Sequence, residues 1–182
     1  MCRHAETMAD IEEAVKALTA EEKAALVAGT CFMYTRGAAR LGIPRLRMSD
    51  GPHGLRVQAE GGPEVAGSLP ATAFPTAATV ANSWDPDLSF GIGAAIGREA
   101  RRYGVHVVLG PGVNIKRNPA AGRNFEYFSE DALLAGEMAA AEVRGIQSEG
   151  VGATVKHFAL NNAENFRFMG DSVADMRAIR EL

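Results

Sequence analysis

Several polar residues stand where apolar stretches give way to turns. Asp50 precedes Gly51-Pro52, Asn82 and Asn114 close two other runs, and Lys156-His157 follows Ala153-Thr154-Val155. Arg117 and Arg123 bracket a loop with almost nothing apolar in it, and Phe125, Tyr127 and Phe128 follow at once beside Glu126, Glu130 and Asp131. Carboxylates accept paired hydroxyls, while Arg and Lys donate to ring hydroxyls. Each such charge-assisted bond contributes about 1.5–3 kcal/mol when desolvated. Cations, carboxylates and aromatics together suit a carbohydrate ligand. Plainer readings exist for each part. Asp50 suits an Asx-type turn, residues 117–123 suit a solvated loop, and a Lys-His pair is often structural.

Other chemistries fit poorly. His4, His53, His106 and His157 share no i,i+4 spacing and no HExxH pattern, so no metal is expected. His106, on an apolar run, reads as a satisfied core residue. Gly110-Pro111-Gly112 follows a strand, but Ile115 stands where a dinucleotide fingerprint needs its third glycine. Gly91-Ile92-Gly93 lies inside a predicted helix with equally wrong spacing. No Gly-Lys-Ser/Thr exists, which excludes a P-loop.

The elements that must position these residues follow from local signals. Thr19-Ala20-Glu21-Glu22 is a capping box opening a helix that Gly29 is expected to stop. Ile43–Met48 reads as a strand ending at Ser49-Asp50, residues 57–72 as loop, and Thr76–Asn82 as a small-residue strand. Asp85-Pro86 opens a helix with Leu88, Ile92, Ala95, Ile96, Ala100 and Tyr103 on one stripe, ended by Gly104. Val105–Leu109 has the pattern of a strand buried on both faces. Ser129-Glu130-Asp131 caps a helix carrying Leu134, Met138, Ala141 and Gly145, with Gly150 as its stop. Residues 153–158 read as a further strand, and a last helix starts near Ser172 or Asp175. Strands alternating with helices imply a parallel sheet with right-handed crossovers, whose C-terminal edge holds the site.

Four segments together resemble glycoside hydrolase family 3, β-glucosidase branch. They are Ser49–Arg56, Gly110–Pro119, Gly122–Asp131 and Val155–Phe158, in family order and with family-like spacing from about residue 18 onward. Lys156-His157-Phe158 continues as Ala159–Glu164 without the Gly-rich run of the family's N-acetylglucosaminidase branch. The resemblance implies the N-terminal (β/α)8 TIM-barrel domain of a retaining exo-β-glycosidase, here incomplete, with about four to five βα units. It implies that Asp50 accepts bonds from hydroxyls of the terminal sugar, and that Arg123, Lys156 and His157 grip hydroxyls directly. Arg56 and Arg167 match positions that orient carboxylates and loops of the same subsite. Glu126, Glu130 and Asp131 match structural and helix-capping positions.

Retaining hydrolysis needs two carboxyl groups about 5–5.5 Å apart. The family nucleophile lies in a Ser-Asp-Trp-like segment beyond the position of Arg167, and no residue here matches it or the acid/base. The only Trp, Trp84, precedes Asp85 in another context. The chain alone is therefore expected to be an inactive part of a glycosidase acting on terminal β-D-glucosyl or xylosyl residues. The partner is a β-linked gluco-oligosaccharide or an aryl or alkyl β-glucoside. A non-catalytic sugar-binding or interaction module is the alternative.

Composition supports an ordinary globular chain: 182 residues, net charge −3, 47% hydrophobic and 23% charged. The charge argues against nucleic acid, and no apolar run suits a membrane span. No cofactor is expected. Two isolated cysteines and no signal-like segment point to the cytoplasm. Residues 1–17 read as an N-terminal extension with Met8 as an alternative start, and residues 18–182 as the partial barrel domain. A full barrel takes about 250 residues, so exposed strand edges and self-association are expected. Twenty glycines, above the usual share of roughly 7%, call for many tight turns.

Overall fold

The computed structural model describes residues 8–58 and 67–182, so Cys2, His4 and the Gly61-Gly62-Pro63 loop expectation lie outside the described residues. The chain divides into two compact units, Met1–Met48 and Ser49–Leu182.

The first unit holds helices α1 (Met8–Ala17) and α2 (Ala20–Val27), then the antiparallel pair β1 (Gly29–Cys31) and β2 (Tyr34–Thr35). The capping box forms as expected: Glu22 N–H donates to Thr19 Oγ1 and Thr19 N–H to Glu22 Oε2. Gly29 does not stop the helix in a left-handed turn. It is extended in β1, and Ala28 is the cap. The strand expected over 43–48 is also shorter. Ile43 and Arg47 make only isolated bridges, and β3 spans Met48–Asp50, because Pro44 has no N–H for a ladder.

In the second unit α3 (Ala77–Ala81) and α4 (Pro86–Arg102) precede β4 (Val107–Leu109), and α5 (Ala132–Ser148) precedes β5 (Gly152–Ala153). Helix α6 (Met176–Glu181) follows, capped by Asp175 as expected. The three strands form one sheet in the order β3-β4-β5, with β5 parallel to β4. This is the mixed α/β, parallel-sheet architecture of partial barrel type.

Residues 76–82 are helical, not a strand. Three of the five residues in α3 are alanine, the best helix former, and Ala77, Val80 and Ala81 pack against Phe128, Met138 and Ala139. Asn82 therefore caps a helix and takes no place at a strand end. His106 is exposed rather than buried, since β4 begins only at Val107.

Helices α4 and α5 begin where Asp85 and Asp131 accept from their first-turn amides. They end before Gly104 and Gly150, both at positive φ. The stripe that α4 buries is Ser89, Gly93, Ala94, Ile96, Gly97 and Ala100, rotated from the expected one. Leu88 is exposed and Ser89 is buried, its hydroxyl donating to the Met138 carbonyl at 2.8 Å. The glycines explain the rotation. A Cβ on Gly93 would stand 2.3 Å from the Glu142 carbonyl oxygen, and one on Gly145 would stand 2.2 Å from that of Phe90. The helix backbones touch at these positions. Leu55, Val57, Ile96, Val105, Val108, Ile146 and Val151 then pack as one core against the sheet. No helix among the described residues is long and apolar enough to cross a membrane.

Candidate functional site

Parallel pairing continues past the regular strands and carries the polar residues to one edge. Thr154 N–H donates to the Val108 carbonyl, Lys156 N–H to that of Pro111 and Val113 N–H to that of Lys156. Gly110 and Gly112 allow close packing here. A Cβ on Gly112 would meet the Tyr127 ring at 3.0 Å, and one on Gly110 would meet Pro52 at 2.9 Å.

At that edge Lys156 Nζ donates to Asp50 Oδ1 at 2.8 Å. Burial alone would raise the Asp50 carboxyl. The Lys156 bond and charge, the Gly51 amide and the Arg56 charge outweigh it, holding the group below the ordinary aspartate value. Asp50 is thus an anion at neutral pH, with Oδ1 held by Lys156. Ser49 beneath it is fully buried.

Arg123 is the hub of a second cluster. Its Nε donates to the buried carboxylate of Glu126, its Nη2 lies 2.7 Å from His157 Nε2, and its Nη1 lies 3.4 Å from Glu164 Oε1. Arg167 grips the other Glu164 oxygen at 3.2 Å. The second nitrogen of His157, Nδ1, is 2.9 Å from the Tyr127 hydroxyl, and its backbone N–H donates to Asn114 Oδ1 at 2.9 Å. An arginine can only donate, so His157 Nε2 accepts and Nδ1 carries the proton. Burial, then the charges of Arg123 and Lys156, push the imidazole below its ordinary value and keep it neutral. Burial likewise favours protonated Glu164, but Asn161, Arg167 and Arg123 hold its carboxyl below the usual range.

Asp50, Arg123, Lys156, His157 and Arg167 line one cavity of about 850 Å³. Arg56 does not line it. Its side chain is exposed, its N–H donates to the Asp50 carbonyl at 2.9 Å, and its charge acts on Asp50. Asn114 bonds His157 and, with Arg117, lines an adjoining apolar cavity that shares Lys156 and His157 with the first. Asp131 caps α5, and Glu126 anchors Arg123, the structural parts expected of them. Asn161 and Glu164 were not singled out by residue type. Their signal was present, as an Asn-Asn-Ala-Glu run directly after a Lys-His pair at a strand end. His53 lies apart from the ring, its Nε2 accepting from Ala77 N–H at 3.0 Å, and burial lowers its pKa.

Comparison with known proteins places this geometry. Residues 33–166 match the family model described as the glycosyl hydrolase family 3 N-terminal domain. The chain is 51% identical over 175 residues to thermostable β-glucosidase B of Acetivibrio thermocellus, covering 95% of this chain and 23% of that protein. It is 48% identical to an exo-α-(1→6)-L-arabinopyranosidase of Bifidobacterium longum, covering 92% and 23%. The crystal structure of a Kluyveromyces marxianus β-glucosidase in complex with glucose superposes with a TM-score of 0.87 at 38% identity, covering 94% of this chain and 20% of that one. The chain thus spans less than a quarter of the length of these relatives.

Proposed function

We propose, from the premise that this chain belongs to glycosyl hydrolase family 3, that it forms the sugar-gripping part of a retaining exo-β-glycosidase. The terminal non-reducing glycone, a β-D-glucosyl or xylosyl residue, occupies the cavity. Asp50 accepts from its hydroxyls, Arg123, Lys156 and His157 grip them directly, and Arg167 orients the Glu164 carboxylate of the same subsite. The observation that carries this reading is the pairing of Asp50 with Lys156 at 2.8 Å on the wall of a cavity that three further cationic or imidazole side chains line. A fixed anion beside fixed donors suits a neutral ligand rich in hydroxyls, because such a ligand both donates and accepts at each oxygen. Arg56 tunes Asp50 from outside the cavity.

Three carboxylates around the subsite are committed to cations, Asp50 to Lys156, Glu126 to Arg123, and Glu164 to Arg123 and Arg167, while Asp171 also lines the cavity. Asp171 alone falls short of the two free carboxyl groups that retaining hydrolysis needs. On this reading the 182 residues bind and do not cleave. Self-association is part of the same reading, supported by the exposed Phe158, Phe166, Phe168 and Met169.

Calorimetric titration with gluconolactone tests the reading, with saturable heat expected for the 182-residue chain and none for Asp50→Ala. Absence of heat from the unaltered chain at millimolar ligand overturns it. Turnover of an aryl β-glucoside that disappears in Asp50→Ala would overturn the statement that these residues only bind.

A further inference from the structure

We propose that Tyr127 is a positioning residue for Arg123, acting through His157, with Asn161, which itself lines the cavity, bridging Tyr127 to Glu164; this rests on the reading of the cavity as a sugar subsite. The observation is a closed circuit of hydrogen bonds. From Arg123 Nη2 it runs 2.7 Å to His157 Nε2, and from His157 Nδ1 2.9 Å to the Tyr127 hydroxyl. Asn161 Nδ2 donates to that hydroxyl at 2.9 Å and to Glu164 Oε1 at 3.0 Å. Glu164 Oε1 then accepts from Arg123 Nη1 at 3.4 Å, closing the ring.

The donors at Arg123 decide every direction in this circuit. A guanidinium has no acceptor, so His157 Nε2 must hold a lone pair and Nδ1 must hold the proton. That proton requires an acceptor, which the Tyr127 oxygen supplies. Asn161 has two N–H groups and spans the gap from Tyr127 to Glu164. Without the phenol oxygen the Nδ1 proton has no acceptor in the circuit, so the Nδ1–H form loses much of its advantage over the Nε2–H form, which turns a donor against Arg123. The side chain of Tyr127 is fully buried between Gly112 and the His157 ring, which it meets edge-on at 5.9 Å between centroids. It does not line the cavity, so its effect on a ligand must pass through His157. With Nε2 on Arg123 and Nδ1 on Tyr127, His157 holds Arg123 in its direction of donation.

The test measures the His157 tautomer by nitrogen NMR and gluconolactone affinity by calorimetry, in the 182-residue chain and in Tyr127→Phe and Asn161→Ala. The unaltered chain is expected to show the Nδ1–H form at pH 7.5. Tyr127→Phe is expected to lose that fixed form and to weaken gluconolactone about fivefold to tenfold, the effect of one lost hydrogen bond of ordinary strength. Asn161 lines the cavity, so Asn161→Ala is read by the tautomer beside the affinity, with a loosened Nδ1–H form expected while Tyr127 is intact, which keeps the test open should Tyr127→Phe fold poorly. An Nε2–H form in the unaltered chain overturns the proposal. So does an unchanged tautomer with unchanged affinity in both variants. If the unaltered chain binds no gluconolactone, the sugar-subsite reading fails while the tautomer still decides the circuit.

Discussion

Lys156 meets Asp50 at 2.8 Å although 106 positions separate them in the chain. Their strands, β5 and β3, flank β4 on its two sides, so both residues come to the same edge of the sheet. Lys156 is largely buried at 14% side-chain exposure, and Asp50 is half-buried at 35%. Removing either partner leaves the other charge partly desolvated. A double-mutant cycle over Asp50→Asn and Lys156→Met, read by urea denaturation, is expected to give a coupling of about 1 kcal/mol, modest because Asp50 still meets water. Additive effects would show that the pair is not formed.

Binding is expected to fail on the acid side through His157. Its pKa lies below the ordinary 6.5, and the protonated ring turns a second donor toward the Arg123 guanidinium. Neutral His157 is the competent form, so affinity for gluconolactone holds at pH 7 and falls as pH drops through the folded pKa. A folded pKa below the unfolded one also removes stability in the same direction. Asp50 and Glu164 are also held below their ordinary values, by Lys156 and by Asn161, Arg167 and Arg123. His53 is also depressed below 6.5, so His157→Gln is the deciding control. That variant should bind more weakly at pH 7 and lose the acid limb, as calorimetry from pH 7.5 to 4.5 would read.

Glu142 on α5 is buried, and its Oε1 has no hydrogen-bond partner. Burial pushes its carboxyl up to about 8 against an ordinary 4.5. The folded state holds the proton more tightly than the unfolded chain, so this contribution is complete below pH 4.5 and is lost as pH rises toward 8. Glu142→Leu is expected to raise stability at pH 7 by on the order of 2–3 kcal/mol. It should also flatten the decline between pH 5 and 8, measured by chemical denaturation at several pH values. A variant less stable than the parent at pH 8 would contradict the assignment.

Glycines within the two long helices should respond in opposite directions. Gly93→Ala places a Cβ 2.3 Å from the Glu142 carbonyl and is expected to cost about 2–3 kcal/mol by forcing α4 and α5 apart. Gly136 has nothing within 4 Å of its Cβ position. Gly136→Ala should therefore stabilise by about 0.5–1 kcal/mol through helix propensity alone. Urea midpoints moving the same way in both variants would refute the contact at Gly93.

Much of this protein is legible along the chain because its signals are local. Thr19, Asp85 and Asp131 satisfy amide groups two or three residues away, so the capped helix starts follow from composition and spacing. Asp50, Lys156 and His157 are legible as strand-end polar residues for the same reason, as is the family resemblance of the segments around them. Where burial outweighs local preference, legibility stops. Residues 76–82 offer equally small side chains to a strand or a helix, and contact with Phe128 and Met138 selects the helix. The stripe that α4 buries is chosen by backbone contact with α5 at Gly93 and Gly145, which no periodicity in α4 alone contains. The tautomer of His157 and the circuit from Arg123 through Tyr127 and Asn161 to Glu164 join residues up to 41 positions apart. Sequence by itself determined that Asp50 and the Lys156-His157 pair stand at or past the ends of strands, but misplaced Asn82, which caps a helix. Only the tertiary structure decided which of them touch, because hydrogen bonds and ion pairs depend on distances that the packing of β3, β4 and β5 sets.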